Sequence, residues 1–103
     1  MSDFSYEKTS RFVETDNGKI HYHEAGAGDV LLMIHGSGPG VNGWANFEGN
    51  LPVYAAHFRC VIIDLPGYGK SEPVEGNPVI GCVAACIALL DKLGISHKTM
   101  DHA

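Results

Sequence analysis

The sequence predicts an α/β fold built around a mostly parallel sheet. Two apolar runs of strand length, Val30–Ile34 and Cys60–Ile63, contain no polar side chain, which is typical of strands buried on both faces. Each run is followed by a glycine-rich loop and then by apolar residues at helical spacing. This alternation of strand and helix favours parallel strands joined by right-handed crossovers.

The N-terminal part predicts a β-hairpin ahead of that parallel core. Residues Arg11–Thr15 and Lys19–Glu24 are short extended segments on either side of Asp16-Asn17-Gly18. Asn-Gly is a strong turn signal because both residues tolerate a positive φ. The first ten residues are polar, and we expect them to form a tail.

Two helices are predicted after the buried strands. The first covers Trp44–Ala56, where Pro52 should kink the helix or restart it. The second begins with Asn77 as N-cap and Pro78 at the first helical position, and it runs to Leu93 before Gly94. Its buried face is expected to consist of Val79, Ile80, Val83, Ile87, Leu90 and Leu93.

The C-terminal residues are atypical for a sheet protein. Residues 98–100 are suited to begin a further strand, but Asp101 follows them directly. A carboxylate without a partner in a buried strand is costly, so we do not expect the tail 98–103 to form that strand.

Composition limits the classes of function. The chain has 103 residues, of which 45% are apolar and 18% charged, so residues 1–103 form one small domain at most. The formal charge of −5, with no basic cluster, argues against nucleic-acid binding. No stretch has the length of a membrane span and the N-terminus has no signal-like apolar core, so we expect a cytoplasmic protein without membrane contacts.

Cysteine and histidine positions do not favour a metal or redox site. The three cysteines form an odd set without Cys-x-x-Cys spacing, as expected of reduced thiols. His21 and His23 lie on one face of a strand, where solvent exposure on the hairpin is the favoured interpretation over metal binding.

The loops that follow the two buried strands are the best candidates for chemistry, because ligands of parallel sheets bind beyond the carboxyl ends of the strands. The first loop, residues 35–46, is rich in glycine and can direct bare N–H groups at a small anionic atom. The second, residues 64–71, begins with Asp64, whose carboxylate can hold the amides of a tight Pro-Gly turn.

These loops resemble those of the α/β-hydrolase superfamily, and within it those of the meta-cleavage-product hydrolases, which split carbon–carbon bonds in vinylogous 1,5-diketones. The resemblance lies in HGSGPGVNGWANF (residues 35–47) and DLPGYGKSE (residues 64–72), supported by the hairpin turn and by LLDKLGI (residues 89–95). It covers about residues 12–97 in the family's order. It implies hydrolysis of a carbon–carbon bond or an ester in a small-molecule substrate by a Ser-His-Asp triad and an oxyanion hole, with no cofactor.

The resemblance also implies roles for individual residues. The backbone N–H of Ser37 would contribute to the oxyanion hole, Gly38 would line the site, and Asn46 would hold the substrate carboxylate or enol. The alternatives are an ordinary glycine-rich turn for Ser37 and helix capping for Asn46. The resemblance implies structural roles in the two loops for His35, Gly36, Asp64, Gly67, Gly69 and Ser71. His35 is therefore not expected to be the catalytic base, and Asp64 is not expected to be the triad acid. Trp44 is expected to pack in the core.

The nucleophile of the family is missing from the chain. A Gly-x-Ser-x-Gly elbow is expected after the next strand. Gly36-Ser37-Gly38 and Gly69-Lys70-Ser71 both fail that spacing. We therefore expect a fold truncated before the nucleophile elbow, inactive alone and marginally stable, that can self-associate through an exposed strand edge.

Two other classes of function stay open from the residues alone. Gly38–Gly43 fits G-x-G-x-x-G with Asp64 about twenty residues on, which is the spacing of a dinucleotide-binding unit. Against it, Gly38 does not follow the strand directly and Pro39 removes one N–H. The second alternative is a non-catalytic interaction module whose sheet edge and Cys82/Cys86 helix pair with a partner chain.

Overall fold

The computed structural model describes residues 4–16, 18–35, 42–71, 73, 76, 78–95 and 100–102. They form one five-stranded mixed sheet with helices on both faces. The elements in chain order are α1 (Tyr6–Thr9), β1 (Ser10–Thr15), β2 (Gly18–Ala25), β3 (Val30–Ile34), α2 (Gly43–Phe47), α3 (Leu51–Ala55), β4 (Arg59–Ile63), α4 (Pro78–Lys92) and β5 (Met100–His102).

The strand order in the sheet is β1-β2-β4-β3-β5. β1 and β2 form the predicted antiparallel hairpin, and β2 also pairs antiparallel with β4. β3 lies between β4 and β5 and is parallel to both. The α/β class with a parallel core is therefore confirmed.

The N-terminal residues are more ordered than a tail. Ser5 caps α1, its hydroxyl accepting the N–H of Lys8, and Thr9 at the end of this helix is buried. The sequence Tyr6–Thr9 gives no apolar periodicity from which this turn of helix could be predicted. It forms because its side chains pack on the hairpin.

Pro52 divides the first predicted helix as expected. α2 ends at Phe47, and α3 begins at Leu51 with the proline in its first turn, where the missing N–H has no helical acceptor to satisfy.

The core occupies both faces of β3 and β4. Alternate residues of each strand belong to two buried clusters, one covered by α4 and the other by α2 and α3. The first cluster includes Leu32 and Val61, and the second includes Met33 and Ile62. Burial on both faces explains why these strands are apolar without interruption.

The predicted buried face of α4 is only partly correct: Leu90 is buried and Leu93, just beyond the helix, packs against the core, but three of the other predicted residues are exposed. Ala85, Leu89 and Leu90 are buried, whereas Ile80, Val83 and Ile87 are 68%, 55% and 43% exposed. α4 is apolar on several sides, and the side that faces the core carries Ala85, Leu89 and Leu90. No helix in the described part of the chain is long and apolar enough to cross a membrane.

The expectation that the tail does not form a strand is also wrong. β5 pairs with β3 in the register Val30↔Met100 to Leu32↔His102. The backbone groups on that side of β3 need partners whatever the side chains of the tail, and β5 provides them. The edge of the sheet is consequently β5 rather than β3.

Candidate functional site

The candidate site lies at the carboxyl ends of β3 and β4. His35 follows β3 and is buried, and its Nε2 accepts the backbone N–H of Leu65 at 3.0 Å. The His35 ring also meets the edge of the Tyr68 ring at a centroid distance of 5.1 Å. His35 is thus held against the residue that follows Asp64.

Asp64 follows β4 and collects hydrogen bonds from three parts of the chain. Its Oδ1 accepts the N–H of Gly43 at 2.8 Å, and its Oδ2 accepts the N–H of Lys70 at 3.2 Å and contacts Nδ1 of His21 at 2.6 Å. Burial alone would raise the pKa of the Asp64 carboxyl, but the hydrogen bonds from His21, Gly43 and Lys70 outweigh it and leave that pKa below its ordinary value. Asp64 is therefore ionised at neutral pH.

Together these contacts fix both ends of the first glycine-rich loop. His35 is bound to Leu65 at one end, and Gly43 is bound to Asp64 at the other. Gly43 cannot be replaced without movement, because a Cβ there would lie 2.5 Å from Cγ2 of Ile62 and 2.8 Å from the carbonyl oxygen of Ile63. Gly36, Ser37 and Gly38 belong to this loop but lie outside the described residues.

The two asparagines around α2 have different positions. Asn42 is the N-cap, and its Oδ1 accepts the N–H of Ala45 at 2.8 Å. Asn46 lies inside α2 with an exposed side chain. Helix capping is thus performed by Asn42, and the capping interpretation of Asn46 is wrong.

The second loop folds as successive tight turns around the Asp64 carboxylate. Gly67 and Gly69 have φ values of 84° and 52°, and a Cβ on Gly69 would overlap the carboxylate of Asp64. The hydroxyl of Ser71 donates to the carbonyl of Asp64 at 2.6 Å and accepts the N–H of His21 at 2.8 Å. The loop is therefore bound to β2 as well as to β4.

His21 and His23 are not exposed, which corrects the interpretation of the hairpin. Both are 0% exposed, because β2 is an interior strand and α1 and Trp44 cover the face that bears the two rings. In addition to its bond to Asp64, His21 Nε2 lies 2.6 Å from the hydroxyl oxygen of Ser10. No group of three metal-ligating side chains occurs within the described ranges.

His23 is held as a neutral imidazole. Its Nδ1 lies 2.8 Å from Oγ1 of Thr9, and its buried Nε2 has no hydrogen-bond partner among the residues described. Burial, and then the neighbouring His21, lower the pKa of His23 to about 4. Ile20 and Tyr22 alternate with the two histidines, a pattern that by itself indicates a strand with one covered face, so no local sequence signal marked the burial of His23.

The dinucleotide alternative conflicts with the surroundings of Asp64. In that alternative the carboxylate would bind ribose hydroxyls. Instead Asp64 is buried, and both of its oxygens already accept protein donors, one of them from Gly43 within the glycine motif itself.

The chain is similar in sequence to known hydrolases of 2-hydroxy-6-oxo-dienoates. The chain is 40% identical over 97% of its length to a 2-hydroxy-6-oxononadienedioate/2-hydroxy-6-oxononatrienedioate hydrolase from Pseudomonas sp., of which it spans 38%. It is 38% identical over 92% of its length to a 2-hydroxy-6-oxo-6-phenylhexa-2,4-dienoate hydrolase from Burkholderia cepacia, of which it spans 36%. The chain thus covers about a third of the length of these relatives. No protein-family model matches it.

Solved structures agree with the sequence relatives. A meta-cleavage product hydrolase from Pseudomonas fluorescens superposes with a TM-score of 0.78 at 27% identity, over 85% of this chain and 33% of that one. An epoxide hydrolase from an endophytic Streptomyces superposes with a TM-score of 0.75 at 32% identity, over 90% of this chain and 28% of that one.

Proposed function

We infer that this chain belongs to the α/β-hydrolase superfamily, with meta-cleavage-product hydrolases as its relatives. On that premise we propose that it supplies the charge-stabilising loop of an enzyme that cleaves a carbon–carbon bond in a vinylogous diketone. The observation that supports the proposal is the fixation of segment 35–43 at both ends, through His35 and Gly43, at the carboxyl end of β4.

The fixed ends of this segment matter because a hydrogen-bond donor stabilises an oxyanion best when it is already in position before negative charge develops on the substrate oxygen. A backbone N–H aimed at the substrate carbonyl stabilises the transition state without reorganising at the moment of reaction. In the proposed enzyme the N–H of Ser37 donates to this oxygen, Gly38 lines the site, and Asn46 binds the carboxylate or enol of the substrate. Asp64 and Ser71 act at a distance, since they hold the loops.

The 103 residues alone are proposed not to complete the reaction. Hydrolysis in this superfamily uses a serine at a Gly-x-Ser-x-Gly elbow together with an acid and a histidine, and the printed sequence contains no such elbow. The dienoate named for the Burkholderia relative is a suitable probe, because the loss of its conjugated chromophore reports cleavage. We expect no loss beyond the rate in buffer with the chain alone.

A chimera tests the role of the loop. Residues 1–95 replace the matching part of the Pseudomonas relative, and steady-state kinetics are measured on that enzyme's dienedioate. Ser37→Pro removes the backbone donor and is expected to reduce kcat by about 10²–10³-fold. Ser37→Ala keeps the N–H and is the matched control, with kcat expected close to that of the parent chimera. Equal kcat values for the two variants would reject the oxyanion role.

Asn46 is tested in the same chimera. Asn46→Ala should raise KM on the dienedioate several-fold while kcat changes less, because the residue is proposed to bind a substrate group away from the reacting bond. Ala45→Ser, on the neighbouring exposed position of α2, serves as the control.

Location and association are part of the proposal. Three free cysteines support a reducing, cytoplasmic environment, and the net charge of −5 supports a small-molecule substrate rather than a nucleic acid. Self-association of this chain is proposed to occur through the edge of β5, which among the described strands is paired with β3 alone. Light scattering across a range of concentrations should show a growing dimer fraction, and a strictly monomeric chain would reject this part.

A further inference from the structure

We infer that Ser10 is a nucleophile, activated by His21 and Asp64, in a centre separate from the loop that carries Ser37. The Ser10 hydroxyl oxygen lies 2.6 Å from His21 Nε2, and His21 Nδ1 lies 2.6 Å from Asp64 Oδ2. A hydroxyl, an imidazole and a carboxylate joined in this order form the arrangement that activates serine in unrelated hydrolase folds.

The positions of the protons follow from the donors around Asp64. Both carboxylate oxygens accept backbone N–H groups, from Gly43 and from Lys70, as expected of an ionised carboxylate. Nδ1 of His21 must then donate to Asp64, and in the ring that carries a single proton Nε2 is an acceptor. The Ser10 hydroxyl consequently donates to Nε2, which is the direction required for proton removal during attack.

The imidazole is enclosed by protein, whereas Ser10 is partly exposed. His21 is fully buried, and its ring stacks on Tyr6 at a centroid distance of 5.7 Å and lies 4.7 Å from the Phe12 ring. Ser10 is half-buried at the start of β1, an edge strand of the sheet. A small electrophile can therefore approach Ser10 without displacing the base.

The surroundings indicate the class of reagent. The ammonium groups of Lys70 and Lys19 lie over the Tyr6 and Phe12 rings, each 4.7 Å from a centroid, so an aromatic and cationic surface surrounds the histidine. The N–H of Ser10 donates to the carbonyl of Tyr6 and is unavailable to an oxyanion. These features favour aryl esters and organophosphorus reagents with good leaving groups, and slow turnover.

The reaction is an acyl transfer. The Ser10 oxygen bonds to the carbonyl carbon of p-nitrophenyl acetate while His21 Nε2 takes the hydroxyl proton. The carbon–oxygen bond to the aryl group breaks, and p-nitrophenolate leaves with the electron pair. The product is O-acetyl-Ser10, and His21 then returns its proton to water.

The test uses the full chain with p-nitrophenyl acetate and, separately, a fluorophosphonate. We expect p-nitrophenol release approaching one equivalent, and mass spectrometry should locate one adduct on Ser10. Ser10→Ala should lose the burst and the adduct, whereas Ser96→Ala, which removes a serine elsewhere in the chain, should keep both. His21→Gln should slow modification by about 10²–10⁴-fold, the usual contribution of a general base.

A cysteine variant separates activation from folding. Ser10→Cys keeps the side-chain volume, and its thiol should react with iodoacetamide at neutral pH faster than Cys86, whose pKa burial raises to about 11. Adding His21→Gln should slow the alkylation of the Ser10→Cys thiol. Circular dichroism establishes whether each variant is folded.

Several outcomes would overturn the inference. They are a folded chain with no adduct, an adduct on another serine, a Ser10→Cys thiol no faster than Cys86, and a chain that does not fold and is not labelled. The oxyanion role is measured by kcat of the chimera on the dienedioate and this inference by the adduct on Ser10, so failure of one and failure of the other are distinguishable.

Discussion

Acidification from pH 7 to pH 4 should destabilise the chain through His23. Its imidazole is fully buried, and its pKa is lowered from 6.5 to about 4, so the folded state disfavours the protonated ring. Above pH 6.5 neither the folded nor the unfolded state binds this proton, so protonation of His23 does not reduce the free energy of unfolding. Between pH 6.5 and 4 the unfolded state binds the proton and the folded state does not, so the free energy of unfolding falls.

The size of the effect follows from the two pKa values. Each pKa unit corresponds to about 1.4 kcal/mol, so the whole interval costs about 3 kcal/mol. This is a large share of the stability of a chain of this length. Asp64 affects the stability in a separate pH range. Because the pKa of its carboxyl is lowered in the folded state, the stabilisation from the ionised carboxylate is lost only below pH 3.8, the ordinary pKa of this group.

Urea titrations at successive pH values measure this effect. Trp44 is the single tryptophan and its ring lies 4.7 Å from the His23 ring, so fluorescence reports on this part of the fold. His23→Phe keeps an aromatic ring and removes the titrating group, and it should flatten the dependence between pH 6 and pH 4.5 by about 1 kcal/mol per pH unit. His57→Gln, at an exposed position, should leave the dependence unchanged. A His23→Phe variant as acid-sensitive as the parent would refute the reasoning.

Three further substitutions test the loops and the core by thermal and urea unfolding. Gly69→Ala combines a positive φ with a clash against the buried carboxylate and should cost at least about 2 kcal/mol, whereas Gly49→Ala, which meets nothing within 4 Å, should be nearly neutral. Ser71→Ala leaves a buried N–H and a buried carbonyl without their hydroxyl partner and should cost about 1–3 kcal/mol. Leu89→Ala should cost about 2–5 kcal/mol against less than about 0.5 kcal/mol for the exposed Val83→Ala, and equal losses would contradict the assigned face of α4.

Part of the candidate site was visible in the sequence and part was not. The position of both loops follows from the rule that strand ends in parallel sheets form sites, and His35 and Asp64 do lie there. The contact between His21 and Asp64 spans 43 positions and exists because β2 lies beside β4. No local pattern specifies that neighbour.

The sequence by itself determined the elements whose signals are local. Uninterrupted apolar runs define β3 and β4, Pro52 separates α2 from α3, and the Asn-Gly turn defines the hairpin. These signals suffice because strand burial, proline geometry and turn conformation each depend on adjacent residues.

Only the tertiary structure decided which surfaces meet. α4 is apolar on several sides, and contact with the sheet selected Leu89 rather than Val83 for burial. The hairpin histidines became buried because α1 and Trp44 cover them, and the C-terminal residues became a strand because β3 lacked a partner on that side. In each case the free energy of burial or of backbone pairing is set by a segment distant in the chain, so it cannot be found from the residues on either side.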